Sequence, residues 1–243
     1  MTETQSRGRR PGQLPPGRHG LPRETVVQNQ RERILRAVVD VASLAGYGPM
    51  SVEDIISTAG VSRRTFYDHF PNKESAFLVA YDESVTRLQA AMIEVFQAEG
   101  SIIERATAAV TVLVDGLAAD PAMAEMCVVE VLGAGAEAVA RRDRSMRELS
   151  ELIATGAKQA RGGEGMPPMT SETIAGGIHE VIYARVLRGE LEELREAVPE
   201  LVYALFLPYA GIEGAQAAHD AAVEFRAKQR AADAAAEQSA VQP

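Results

Sequence analysis

The sequence predicts an all-α protein: an N-terminal three-helix unit of the helix-turn-helix kind, followed by a larger α-helical domain. Three observations predict it. Apolar residues recur at three- and four-residue spacing along almost the whole chain, and no segment shows the two-residue alternation of a half-buried strand. Short helical stretches early in the chain are separated by Gly60 and preceded by the capping residues Ser51 and Ser62. The chain has 243 residues of which 46% are apolar, enough for a substantial core.

The elements follow in order. Residues 1–24 form a basic arm; the first 22 hold Pro11, Pro15, Pro16 and Pro22 among Arg7, Arg9, Arg10 and Arg18, with Gly8, Gly12, Gly17 and Gly20 between them. Such a composition cannot bury a core and is expected to be flexible. It is either an arm that follows phosphates or enters a minor groove, or a solvated leader. Order is expected to begin between Thr25 and Asn29. Ile34, Leu35, Val38, Val41, Ala42 and Ala45 then mark one face of a helix that ends at Gly46. Ser51, with Asp54 three residues on, opens a short helix carrying Ile55, Ile56 and Ala59 inward, and Gly60 closes it. Ser62 opens a third helix from Arg63 to about His69. Pro71 breaks it, and Asn72 caps a long helix from Lys73 to about Ala98.

Beyond Gly100 the spacing predicts helices over 101–119, 121–132, about 136–160, 171–187 and about 198–209. Asp120-Pro121 marks one boundary and the run 161–170 a loop. Residues 212–238 are Ala-rich and suit either a terminal helix or a frayed end. The domains are therefore 1–24 (arm), 25–73 (helix-turn-helix) and 74–238 (regulatory and dimerisation body).

Charge supports this division. The net charge is −9, but residues 1–75 hold 11 Lys+Arg against 8 Asp+Glu, a net of +3. The remaining 14 and 26 leave −12. A basic front on an acidic body suits contact with phosphate at one end, although such asymmetry also arises by chance. The single cysteine, Cys127, excludes an internal disulfide and disfavours a thiolate metal cluster. With no apolar run near ~20 residues and no apolar stretch behind the charged N-terminus, the expected location is the cytoplasm, away from any membrane.

The segment Ser51–Phe70 carries the functional signal. Val52, Ile55, Ile56, Val61 and Phe66 can build the small core that sets the angle between two helices. Ser62, Arg63, Arg64, Thr65, Tyr67 and His69 then face outward, with donors suited to base edges and phosphates. In order and without insertion, Ile34–Ala45, Gly46-Tyr47, Ser51-Val52-Glu53-Asp54-Ile55, Ala59-Gly60-Val61-Ser62, Thr65-Phe66-Tyr67, His69-Phe70 and Lys73-Glu74 resemble the N-terminal signature of TetR-family regulators. The resemblance covers about 45 residues, from Ile34 to Phe77, and does not extend legibly into the C-terminal body.

The resemblance implies an all-α homodimer that binds a palindromic double-stranded DNA operator, usually as a repressor released by a small molecule. The alternatives are an activator, or a regulator without small-molecule input. It implies that Ser62 caps the recognition helix and touches phosphate, and that Arg63 and Arg64 occupy the base-reading first turn. Thr65 and Tyr67 match backbone or thymine-methyl contacts, and His69 and Lys73 match phosphate contacts. Ser51, at the start of the preceding helix, joins the DNA-binding set. Arg64 departs from the small residue that many relatives carry there. Each residue also has a plainer role: packing for Tyr67, a surface cap for His69, solvation for Lys73.

Helix 198–209 is almost wholly apolar and needs cover. Paired with 171–187 from each of two copies it would form an intermolecular four-helix bundle, as the resemblance implies; otherwise it is buried within one protomer. An unknown small-molecule effector would sit among the body helices, with Met92, Phe96, Met123, Met126, Cys127, His179 and Tyr183 as candidate lining. Residues of these types at helical spacing are more often core. Cys127 reads as an inert small hydrophobe or a reactive sensor, and His179 as a core histidine or a ligand-orienting group.

An enzyme is disfavoured. The sequence has no nucleophile elbow, no Gly-rich phosphate loop, and neither the His-x-x-x-His nor the Glu-x-x-His spacing of a metal site. His19, His69, His179 and His219 lie far apart. No cofactor, catalytic residue or metal is expected.

Overall fold

A computed structural model describes residues 22–160, 165–167 and 169–241. Most of the basic arm, and much of the 161–170 loop, lie outside the described residues. Among the described residues ten α-helices run in order: α1 Arg23–Ala45, α2 Val52–Ala59, α3 Arg63–His69, α4 Lys73–Gln97, α5 Ile102–Ala119, α6 Pro121–Val128, α7 Ala136–Gln159, α8 Met169–Arg188, α9 Leu191–Glu196 and α10 Val198–Val241. There is no strand among the described residues. The chain divides into two compact units that part between Glu83 and Ser84, inside α4 rather than at its start.

The first unit is built on α1. Of the stripe expected from spacing, Ile34, Leu35, Val38, Val41 and Ala42 are buried, joined by Ala37, while Ala45 at the helix end is exposed. Against it pack Ile55, Ile56 and Ala59 of α2 and Phe66 of α3, with Met50, Phe70 and Phe77 closing the core. Both short helices depend on their ends. The Ser51 hydroxyl accepts from the Asp54 amide at 3.2 Å while the Asp54 carboxylate takes the Ser51 amide at 2.9 Å, a reciprocal cap. Gly60 terminates α2 at φ 62°, ψ 40°, a left-handed conformation that a side chain disfavours. Ser62 then caps α3 through the Thr65 amide at 3.0 Å.

In the second unit α5 is central, packed against α10, α9, α6 and α7, while α7 and α8 pair with each other. Ser101 and Glu104 form a second reciprocal cap on α5. Asp120 caps α6 through the Met123 amide at 3.1 Å, with Pro121 in the first turn.

Four sequence expectations need correction. The helix expected over 121–132 stops at Val128 and continues as a 3-10 turn over Glu130–Gly133, because Val131 turns inward to be fully buried. The helix expected from Ser171 starts at Met169. The short helix α9 was not foreseen; its Leu191 and Leu194 are two inward residues on one and a half turns, too few for a periodic signal. The expected helix 198–209 and the Ala-rich tail are one element, α10, broken only at Gly211 with φ 67° and ψ −176°.

The apolar side of that first arm is covered within the chain. Val198, Leu201, Val202, Phe206 and Tyr209 belong to the core of the second unit. The second arm joins the same core through Ala215, Ala218 and Ala222, each fully buried. The tail is thus docked through this stretch rather than frayed. It is fastened further by Arg226, 5% exposed, whose guanidinium meets Asp115 of α5 at 2.8 Å. Arg195 of α9 approaches the same carboxylate at 3.4 Å.

Candidate nucleic-acid interface and apolar cavity

The recognition segment is assembled from two capped helices and one turn. Ser62 spends its hydroxyl on α3, holding the Thr65 amide and lying 2.8 Å from the Thr65 hydroxyl. Beyond that cap the outward side chains diverge in how firmly they are held. Arg64 is 92% exposed, with only a distant ion pair to Asp68 at 4.0 Å. Arg63 instead donates to Glu53 of α2 at 2.5 Å. Glu53 and then Tyr67 hold the Arg63 guanidinium charged, raising it above its ordinary range. Tyr67 is half exposed and stacks edge-on against Phe66, centroids 5.4 Å apart. Thr65 is half buried, and so is His69, whose ring lies beside Phe70 at 6.2 Å.

Two further residues of the expected set, Ser51 and Lys73, are engaged by the protein itself. Ser51 both accepts from the Asp54 amide and donates to the Asp54 carboxylate at 2.6 Å. Lys73 donates to three backbone carbonyls of the loop before α2: Tyr47 at 3.1 Å, Gly48 at 3.1 Å and Met50 at 2.7 Å. Its ammonium also sits 4.7 Å from the Tyr47 ring centroid, and that ring packs edge-on against Phe77. Lys73 is therefore a strut between α4 and the α1–α2 loop.

Sequence reasoning missed Arg33 and Glu53. Arg33 reaches from α1 to the Ala59 and Gly60 carbonyls at the C-terminus of α2, the latter at 2.9 Å. These end carbonyls lack intrahelical partners, so a cation there is well placed. The signal was legible in principle as an unmatched helix end, but its donor lies 26 residues away. Glu53 and Arg63 are likewise ten residues apart and meet only because the turn brings α2 and α3 together.

Residues 34–79 match the model of the tetR family of bacterial regulatory proteins. The helix-turn-helix segment is similar to that of the TetR family. Among curated proteins, an HTH-type transcriptional regulator, YezE of Bacillus subtilis strain 168, is 30% identical over 98 residues. That match covers 40% of this chain and 49% of the relative, so the chain spans about half the length of the curated relative it matches. Solved structures share the fold, two of them regulators named FadR. The fatty acid degradation regulator FadR of Bacillus halodurans aligns with TM-score 0.66 and 22% identity over 75% of this chain and 96% of that one. FadR of Bacillus subtilis, in complex with stearoyl-CoA, aligns with TM-score 0.64 and 21% identity over 74% and 98%.

The second unit contains an apolar cavity of about 70 Å³, walled by α4, α5, α7, α8 and α10. Met92 and Phe96, two of the expected lining residues, border it, together with Leu113, Leu152, Phe206 and Tyr209. Met123, Met126, Cys127, His179 and Tyr183 do not line this cavity. Met126 is wholly core. Burial, with the Asp120 charge nearby, pushes the Cys127 thiol up to about 12, so it stays protonated. His179 lies 3.4 Å from the Arg142 guanidinium; burial first, then that charge, lowers its pKa and keeps it neutral.

No group of three or more His, Cys, Asp or Glu among the described residues could hold a metal ion. No helix among them is long and apolar enough to cross a membrane.

Proposed function

We propose that the chain is a homodimeric, sequence-specific DNA-binding regulator acting as a repressor, and that an apolar small molecule releases it from a palindromic operator. The observation carrying this reading is α3, a seven-residue helix capped by Ser62 that presents Arg63, Arg64, Thr65 and Tyr67 outward from a packed core. Arg64, almost fully exposed, and Arg63, oriented by Glu53, read base edges; Thr65, Tyr67 and His69 grip the backbone. Lys73 and Ser51 contribute by fixing the loop and the helix that carry them. Arg33 performs the same service for the α2 end.

A second copy supplies the second half-site, since recognition helices must meet major grooves about one turn apart, ~34 Å. The outward side of α8 carries Val181 and Leu187, 39% and 53% exposed, and that of α10 carries Leu207 and Ile212, 38% and 73% exposed. These faces, continuous with the exposed Gly176-Gly177 pair, suit a two-fold helical bundle. The effector reading rests on the apolar cavity and on the likeness to a regulator bound to stearoyl-CoA. Helix α4 serves both processes: Lys73 at one end struts the loop, and Phe96 at the other borders the cavity. A ligand favouring a displaced α4 would shift the population away from operator binding.

A second reading, regulation without a small molecule, is favoured by the cavity's size. At about 70 Å³ it is well under the roughly 300 Å³ of ordinary ligand sites. One experiment addresses both. The purified protein is used to select fragments from sheared genomic DNA, in parallel with the Arg63→Ala/Arg64→Ala double variant. Enrichment of a short palindrome by the wild type alone supports specific dimeric recognition. No enrichment at moderate salt, also after denaturing and refolding to strip ligand, overturns it.

A further inference from the structure

The cavity's wall offers almost no polar atom, so whatever part of a ligand enters it must be hydrocarbon. One edge of that wall is unlike the rest. Phe96 and Ile102 border the cavity there, and Gly156 of α7 stands against the Phe96 ring. A Cβ at Gly156 would lie 3.0 Å from Phe96 Cζ, so the ring rests on bare backbone. Arg105 of α5 covers the same ring, its guanidinium carbon 5.3 Å from the centroid. Its Nη1 donates to the Phe96 carbonyl at 3.1 Å and its Nη2 to the Gln159 side-chain oxygen at 2.6 Å. Both partners are uncharged. The Arg105 Nε is buried and has no hydrogen-bond partner.

A permanent cation with no carboxylate partner among the described residues, with an orphaned donor, beside an all-carbon cavity is a costly arrangement unless something else completes it. We propose that the cavity is the inner end of a site for a single-chain amphiphile, whose hydrocarbon enters between α4, α5 and α7 and whose anionic headgroup is held by Arg105. Phe96 is the movable wall. At about 70 Å³ the space admits only a short piece of chain, and a longer one must displace a side chain. Phe96 can yield on the side where its ring leans on a glycine and a flexible arginine. Its departure also uncovers the Arg105 Nε. The headgroup chemistry is a carboxylate, or the phosphates of a carrier thioester.

This rests on the small-molecule reading above and refines it to a ligand class. The test measures binding of hexadecanoate, hexadecanol and hexadecanoyl-CoA to the full chain by calorimetry, with the wild type, Arg105→Gln and Arg105→Lys. Far-ultraviolet dichroism and thermal melts establish that each variant is folded. The wild type is expected to bind the carboxylate or the thioester about tenfold or more tightly than the alcohol, the gain of one charge-assisted hydrogen bond. Arg105→Gln should erase that preference while leaving the alcohol's affinity in place, and Arg105→Lys should restore part of it. Preference for the thioester over the free acid identifies the carrier as the source of the charge. Equal binding of acid and alcohol by the wild type, or a preference that survives in folded Arg105→Gln, overturns the headgroup assignment but leaves an apolar ligand standing. Failure of all three probes overturns the small-molecule reading itself.

Discussion

At the residue scale, Lys73 has the clearest consequence. Three carbonyls and an aromatic face hold its ammonium, so it supports the loop before α2 whatever else it touches. Lys73→Met is expected to cost about 1.5–3 kcal/mol, the range for hydrogen bonds to a charged group. The measurement is the urea midpoint, and an unchanged midpoint with weakened DNA binding would reduce Lys73 to a phosphate contact. Cys127 gives a second expectation. Its thiol, raised to about 12, stays protonated at pH 8. Alkylation by iodoacetamide should therefore be many times slower in the native protein than in urea. Modification at the unfolded rate would reopen the sensor reading. His179 sets a pH dependence. Its folded pKa lies below 6.5, so the unfolded chain takes up the proton first as pH falls. Stability is full above about pH 7 and declines from 6.5 down to the folded value. His179→Gln should flatten that decline in melts taken at successive pH values.

At the element scale, the short helices stand or fall by their ends. With eight and seven residues, α2 and α3 are far below the length at which an isolated helix is stable, so caps and core packing supply the rest. Ser62→Ala should cost about 0.5–2 kcal/mol of stability. It should also weaken DNA binding evenly across operator sequences, because it loosens the helix rather than one base contact. A loss confined to particular base positions in a binding selection would contradict this. Helix α10 is the opposite case, long but interrupted. At the Gly211 break Ala210 Cβ would stand only 2.5 Å from a Cβ at position 214. Gly214→Ala therefore forces the kink to open, and a lower melting temperature is expected. Unaltered melting would mean that the break is not held in this geometry. Local signals announced the short helices well, since Ser51, Gly60 and Ser62 act within four residues of themselves. They said little of α9 or of the continuation of α10, where burial of Leu194 or Ala218 depends on helices far away in the chain.

At the scale of the whole molecule, a charged cluster helps fasten the second unit. Arg226, nearly buried, joins the far arm of α10 to Asp115 of α5, and Arg195 of α9 shares that carboxylate. Arg226→Ala removes the buried cation and leaves Asp115 with Arg195 and the Gln229 amide, 3.3 Å away. Faster hydrogen exchange over residues 212–236, with α5 itself still protected, is the expected outcome. Uniform exchange throughout the unit would mean that the arm and α5 unfold together. The dimer proposed above is tested on the same scale: Leu207→Asp with Ile212→Asp should yield monomers in sedimentation, with the fold intact. A dimer that persists would place the interface elsewhere.

What the sequence by itself determined is what acts over short distances: the all-helical class, the caps and turn of residues 51–70, the TetR signature, and the outward Arg63, Arg64 and Tyr67. Periodicity and capping are properties of neighbours in the chain, so they can be read from it. Only the tertiary structure decided the rest. It turned Lys73 inward to the Tyr47–Met50 loop, joined Glu53 to Arg63, and set Arg33 on the end of α2. It also closed the apolar face of α10 within the chain and left a cavity bordered by Met92 and Phe96 but not by Met123, Cys127 or His179. Each of these depends on which helix faces which across 10 to more than 100 residues of sequence. An apolar stripe records only that a residue is covered, and the same stripe serves a protomer core, a partner subunit or a cavity wall.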